Sequence, residues 1–239
     1  MEVNITFLGG ADTVTGSRFL VRHDGHSLLV DCGLFQGYKQ LRLRNWRPLP
    51  VVPGQIHSVI LTHAHLDHSG YLPVLVREGF HGRVHATAGT RDLCGILLPD
   101  SGHIQEEDAA FANRHGFSKH TPALPLYTRR DALDCLGRIH AEPFGQTFQP
   151  IRGWRATFTP AGHILGAASL LLEVAGHRIL FSGDLGRPDD LLMNPPADPP
   201  AADTVLIEST YGDRLHPHED LVAELGPALQ RVAARGGVA

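Results

Sequence analysis

The stretch His63-Ala64-His65-Leu66-Asp67-His68 puts four candidate metal ligands within six residues. It follows Ser58-Val59-Ile60-Leu61-Thr62, an apolar, β-branched segment that reads as a buried strand. Histidines two apart on an extended turn aim their imidazoles at one point. Asp67 and His68, one step on at a helix start, face a second point nearby. Imidazole and carboxylate donors together suit zinc and similar divalent ions. A cluster of this kind at a strand end lies where an α/β sheet presents chemistry. The chain has 16 histidines, but the spacing, the preceding strand and the acid inside the run set this stretch apart from a His-rich loop.

Two later strand ends carry the same residue types. Pro160-Ala161-Gly162-His163 follows an Ala156 to Thr159 strand, and Ser182-Gly183-Asp184 follows an Arg178 to Phe181 strand. Read beside the opening run, His163 and Asp184 become ligands. A carboxylate at Asp184 suits the bridge between two ions held about 3.5–4 Å apart, the arrangement that activates water. Asp31, at the end of a Ser27 to Val30 strand, suits a partner that accepts hydrogen bonds from ligand imidazoles. Glu208, in Ile207-Glu208-Ser209-Thr210-Tyr211-Gly212, also ends a strand, but its position alone assigns it no role.

Other segments are read more plainly. Gly9 to Ser17 is rich in small residues, lacks a Gly-Lys-Ser/Thr phosphate loop, and reads as a turn near the site. Arg42, Arg44 and Arg47, in the polar Lys39 to Arg47 segment, are able to touch phosphates but read as a solvated face. His103, His115, His120, His216 and His218 lack paired spacing and read as surface or capping residues.

A length of 239 residues bounds one large domain, or one domain and a piece of another. With 21 Lys+Arg against 25 Asp+Glu the net charge is −4, so no polybasic nucleic-acid tail is present. Cys32, Cys94 and Cys135 are far apart and form neither a disulfide framework nor a cysteine zinc site. The start has no basic and apolar leader pattern, and no apolar run is long enough for a membrane span. A soluble cytoplasmic protein is the expectation.

The pattern predicts strands at Val3 to Leu8, Arg18 to Val21 and Ser27 to Val30, the last two joined by Asp24-Gly25. It then predicts a strand at Val59 to Thr62, a helix at Tyr71 to Glu78 and a strand at Val84 to Ala86. Helices are expected over Asp92 to His115, interrupted at Pro99, and over Arg130 to Ile139. Strands follow at Ala156 to Thr159, Ala168 to Val174, Arg178 to Phe181 and Thr204 to Ile207, then an amphipathic helix at Glu219 to Ala234. The last four residues, from Gly236, look like the start of another strand. Strands, interleaved helices and strands again predict an α/β architecture, a sheet sandwich flanked by helices.

These residues resemble the metallo-β-lactamase fold and, within it, the β-CASP nucleases, over the whole chain. Val30-Asp31-Cys32-Gly33 resembles the family's first motif, His63 to His68 its HxHxDH signature, His163 its third motif and Asp184 its fourth. Glu208-Ser209-Thr210-Tyr211-Gly212-Asp213-Arg214 resembles the first of the additional β-CASP motifs, which β-lactamases, thioesterases and lactonases of this fold are not expected to carry. Asp100-Ser101-Gly102-His103-Ile104-Gln105-Glu106-Glu107-Asp108 is similar to bacterial RNA-processing members.

The resemblance implies a four-layer αββα sandwich over 1–208, incomplete, and the start of a β-CASP domain over 209–239. It implies one zinc on His63, His65 and His163, and a second on Asp67 and His68 with Asp184 bridging. It gives Asp31, Asp67, Asp184 and Glu208 catalytic roles. It further implies that the second site's last ligand and a general-acid histidine lie beyond Ala239, which weakens the second metal and removes the proton donor in this span alone. The implied activity is zinc-dependent hydrolysis of RNA phosphodiesters by a hydroxide shared between the metals. The substrate is single-stranded RNA, and a homodimer is compatible. Two other readings remain open at this point: a hydrolase of a small ester, thioester or lactam, and a metal-holding or RNA-binding fragment without turnover.

Overall fold

The computed structural model describes residues 2–215 and 221–238. The chain divides into two compact units, Met1–Glu208 and Ser209–Ala239. The first is built on two sheets. One has the order β1 (Asn4–Gly9), β2 (Arg18–His23), β3 (His26–Val30), β4 (Ser58–Ile60), β5 (Arg83–Ala86), β6 (Ile139–Ala141). The β2–β3 hairpin turns on Asp24 and Gly25, whose φ values of 48° and 74° are those an Asp-Gly pair adopts in a tight hairpin turn. From β3 to β6 the neighbours are parallel, so each connection must cross over, and helices occupy those crossovers.

The second sheet contains β7 (Thr147–Phe148), β8 (Arg155–Pro160), β9 (Ala168–Val174), β10 (His177–Phe181) and β11 (Thr204–Leu206), in the order β11-β10-β9-β8-β7. Only β10 and β11 are parallel. Successive residues of β3 explain how the layers stack. Leu28 and Val30 point into the space between the sheets and pack in one cluster with Phe158, Leu170, Leu172 and Phe181. Leu29 points the other way, into a cluster with Leu72, Leu75, Cys94, Leu98 and Cys135. Those residues lie on α3 (Leu72–Arg77), α4 (Ala88–His115) and α5 (Arg129–Leu136). Each fully buried aliphatic side chain contributes about 1.5–3 kcal/mol. Short helices α1 (Lys39–Arg42) and α2 (Leu66–Ser69) complete the unit.

Three expectations need correction. Helix α4 runs unbroken through Pro99 for 28 residues. The carbonyl that Pro99 leaves without a donor belongs to Gly95, which is exposed so that water can satisfy it, while Leu98, Pro99 and Gly102 are buried against the rest of the fold. Helix α5 stops at Leu136, and Ile139 begins β6, hydrogen-bonded beside β5. The strand before the ligand run ends at Ile60, because the Thr62 amide turns to the Asp31 side chain.

In the second unit the described helix is α6 (Leu221–Ala234). Its expected start at Glu219, and also His216 and His218, lie outside the described residues. Arg235 and Gly236 form a turn, and Gly237 and Val238 carry no strand. No helix among the described residues is long and apolar enough to cross a membrane.

Candidate metal centre

Five strand ends meet at one edge of the two sheets. Asp31 follows β3, His63 and His65 follow β4, His163 follows β8, Asp184 follows β10 and Glu208 follows β11. Asp31 holds a left-handed φ of 57°, a conformation that Asp tolerates better than most side chains. The turn from β3 then passes so close to α2 that a Cβ on Gly33 would run into the Asp67 carbonyl. A Cβ on Gly186 would likewise run into the Gly162 carbonyl, which locks the Asp184 loop against the His163 loop. Both glycines are there for close approach.

Within this frame His63, His65, His163 and Asp184 form a cluster whose donor atoms all lie within 4.8 Å of one another. His65 Nδ1 is 3.1 Å from His63 Nε2 and 3.1 Å from His163 Nε2. Asp184 Oδ2 is 3.6 Å from both of those Nε2 atoms. A tetrahedral ion with metal–nitrogen bonds of 2.0–2.1 Å needs ligand atoms about 3.3–3.4 Å apart. The observed separations fall on either side of that value, so the donor set fits such an ion. The rings stand nearly perpendicular to one another, His63 to His65 at 82° and His63 to His163 at 89°. Lone pairs therefore converge without stacking.

Asp184 turns its other oxygen the opposite way. Its Oδ1 is 3.2 Å from His68 Nε2, which lies 3.8 Å from Asp67 Oδ2. His68 Nδ1 donates to Asp31 Oδ2 at 2.8 Å, which leaves Nε2 to face Asp67 and Asp184. Asp31 is itself held by the Thr62 amide at 2.8 Å and the Thr62 hydroxyl at 2.9 and 3.1 Å. A histidine whose outer nitrogen is fixed by a carboxylate is the usual support of a metal-ligating imidazole.

The electrostatics follow from burial and from this crowding. Burial and the neighbouring imidazoles push the His63 pKa well below its ordinary value, so it stays neutral with a free lone pair. Burial, with His163 beside it, also lowers His65. For His68 burial acts in the same direction, but Asp31 and Asp184 outweigh it and hold the pKa up to about 10, so Nε2 carries a proton toward Asp184 that a bound ion would displace. Burial would raise Asp184; the hydrogen bond from His68 and the surrounding imidazoles outweigh it and keep this carboxyl well below the usual range. Burial raises Asp67. His63 is closed off from solvent, whereas the side chains of His163, Asp184 and Asp67 are 28%, 27% and 21% exposed. The centre therefore opens on that side.

Glu208 lies apart from the donor cluster. Its Oε1 accepts the Leu185 amide at 3.0 Å, and its own amide donates to Ser182 Oγ at 3.0 Å. These bonds grip the loop on both sides of Asp184. His103, His115 and His120 are exposed and away from the centre. Sequence reasoning missed Thr62, whose hydroxyl also lies 3.1 Å from His63 Nδ1; a hydroxyl just ahead of the ligand run was the available signal. It placed Ser17 only in a nearby turn, and Ser17 Oγ lies 3.4 Å from His68 Nε2. Arg18, buried behind the site with its guanidinium 3.9 Å from the Tyr71 ring centre, carried no signal in the sequence.

The chain is also similar to known proteins along most of its length. Ribonuclease TTHA0252 of Thermus thermophilus is 35% identical over 98% of this chain, which spans 50% of that protein. Endoribonuclease YSH1 of Kluyveromyces lactis is 30% identical over 96% of the chain and 30% of its own length. The transcription termination factor FttA of Methanocaldococcus jannaschii is 30% identical over 98% of the chain and 36% of its own length. The chain thus spans half or less of each of these relatives. The sequence model of the metallo-beta-lactamase superfamily matches residues 12–225. With that match covering the strand-end ligands and every strand from β2 onward, the chain belongs to the metallo-beta-lactamase superfamily.

Proposed function

We propose that this chain is the metal-binding portion of a zinc-dependent β-CASP ribonuclease that hydrolyses phosphodiester bonds of single-stranded RNA. The observation that carries the reading is the split Asp184 carboxylate, one oxygen toward His63 and His163 and the other toward His68. One ion would be held by His63, His65 and His163, a second by Asp67 and His68, with Asp184 shared. When bound, such a pair supplies a lowered pKa for water and neutralises charge building up at phosphorus.

The protein's own groups do the rest. Asp31 fixes the His68 tautomer and Thr62 fixes Asp31. His63 stays neutral through burial. Glu208 accepts the Leu185 amide beside Asp184, which supports a positioning role in this reading. The ribonuclease names of the Thermus and Kluyveromyces relatives favour RNA over a small ester or lactam. In the same reading Ser209–Ala239 belongs to the β-CASP domain.

The test uses the full gene product, with metal content measured by mass spectrometry and cleavage followed on end-labelled single-stranded RNA. Near two zinc ions per chain and cleavage that Asp67→Ala abolishes are expected. Equal cleavage by the wild type and Asp67→Ala would sink the mechanism.

A further inference from the structure

The metal centre is rich in carboxylates: Asp31, Asp67 and Asp184 all face it. An RNA strand carries a phosphate on every nucleotide, and the metals meet only the phosphate that reacts. The flanking phosphates need cations that this acidic edge does not supply. In a chain of net charge −4, one segment has them. Tyr38-Lys39-Gln40-Leu41-Arg42-Leu43-Arg44-Asn45-Trp46-Arg47 contains four cations and no acid.

The four are exposed, and none makes an ion pair among the described residues. Lys39 and Arg42 are spaced one helical turn apart on α1, Arg44 lies in the 3-10 turn Leu43–Trp46, and Arg47 follows it in extended conformation. Two aromatic rings flank them in the open, Tyr38 at 83% and Trp46 at 56% exposure. Trp46 also lines a groove of about 800 Å³ with Arg47, Pro48 and Leu124. Cations beside exposed rings are what a single strand requires, since every base offers a stacking face and every linkage a charge.

The segment is tied to the metal-bearing turn. Buried Asn45 accepts the Phe35 amide at 2.9 Å and donates to the Phe35 carbonyl at 2.8 Å. Arg18 joins Asn45, at 3.4 Å, to the Gly33 carbonyl, at 2.7 Å. The Leu34 amide bonds the Leu66 carbonyl and the Cys32 amide the His68 carbonyl, at 2.8 and 2.7 Å. A solvated surface loop has no need of so rigid an attachment.

From this we infer that Tyr38–Arg47 is a binding strip for the backbone and bases of single-stranded RNA flanking the reacting phosphate. The inference rests on the nuclease reading for its substrate. Each Lys or Arg that neutralises a phosphate releases counterions, so binding through the strip weakens with salt.

The test is fluorescence anisotropy of a labelled oligouridylate of about a dozen nucleotides, titrated with the full gene product in chelator so that no cleavage intervenes, from about 50 to 200 mM salt. Combined Arg42→Ala, Arg44→Ala and Arg47→Ala should lower the slope of log affinity against log salt by about 2, at ~0.7 per lost phosphate contact. The same three positions changed to Lys should keep the slope. Trp46→Ala should weaken binding by roughly tenfold and leave the slope unchanged. An unchanged slope in the alanine triple variant overturns the strip, as does a lysine triple variant that loses the slope. Binding by the wild type to an acidic peptide or an anionic vesicle but not to RNA also overturns it. A wild type that never cleaves RNA, yet shows the slope change, removes the nuclease reading and leaves the strip standing.

Discussion

The two corners of the candidate centre are built by different means. The His63, His65 and His163 corner brings three imidazole nitrogens together from two strand ends, with spacings of 3.1 Å on either side of His65. It is held mainly by packing: His63 is fully buried, and the Gly162 and Gly186 loops press on each other. The Asp67 and His68 corner is wider, 3.8 Å between donors, and is held by a relay in which Thr62 fixes Asp31 and Asp31 fixes His68. The first corner is a complete tetrahedral donor set once Asp184 is included. The second depends on hydrogen bonds reaching it from behind. Asp184 is the one side chain common to both, so substitutions can separate them.

The largest effect is expected at that shared carboxylate. Asp184→Asn leaves one oxygen for two corners, so metal content should fall from two ions per chain to one. RNA cleavage by the full gene product should fall by more than the roughly 100-fold typical of losing an outer hydrogen-bond partner. Retention of both ions would mean that Asp184 does not join the corners.

A smaller and one-sided effect is expected at Asp31. Asp31→Asn keeps the volume but offers an amide where His68 Nδ1 now donates, which disfavours the tautomer that leaves Nε2 free. Affinity for the second ion should drop by about 10–100-fold, with the first ion unaffected. Competitive chelator titration reads the two steps separately. Loss of both ions in parallel would show that the corners fold as one unit and that their contrast has no energetic content.

The unequal construction of the corners also explains what was legible in the sequence. Local spacing carries both halves of His63 to His68, because the turn after β4 is a few residues long and period and ligand type can be read directly. His163 and Asp184 were legible only as strand ends beside that run, since the sandwich brings them in from the other sheet through non-local pairing. Strands β6 and β7, of three and two residues, gave no usable periodicity. The support from Arg18 was invisible, and Thr62 and Ser17 were marked only by standing near the ligand run, for a further reason: a hydroxyl or guanidinium shows no role until its partner's position is known. The Pro99 break failed because tertiary packing along α4 outweighs the loss of one helical hydrogen bond.

Glu208 sharpens the contrast from the side of the shared residue. Its carboxylate grips the Leu185 amide, one residue from Asp184. Glu208→Gln keeps an oxygen for that amide, so metal content should stay at the wild-type level and cleavage should fall by only a few-fold, on the order of 1 kcal/mol. Glu208→Ala removes the grip and should loosen both ions together, because it acts through Asp184. Abolished cleavage in Glu208→Gln with metal content intact would instead assign the carboxylate a direct part in the chemistry.

The smallest effect lies outside both corners and tests whether the helical layer matters to either. Helix α5 starts with a capping box: Thr128 Oγ1 accepts the Asp131 amide at 3.1 Å and Asp131 Oδ2 accepts the Thr128 amide at 2.8 Å. Burial would raise the Asp131 pKa, but the Thr128 hydrogen bonds and the Arg77 charge outweigh it and lower the value. A carboxyl lowered in the folded state stabilises fully above its unfolded pKa of about 3.9, and the contribution is lost as pH falls through the folded value. Thr128→Ala should therefore cost about 1 kcal/mol in urea unfolding at neutral pH. The gap to wild type should narrow under acid, below about pH 4. Metal content should not change, since Thr128 and Asp131 make no hydrogen bond to any donor of the centre. A fall in the second ion alone would mean that the relay through Thr62 and Asp31 extends into the helices, and the weaker corner would then be a property of the whole helical layer.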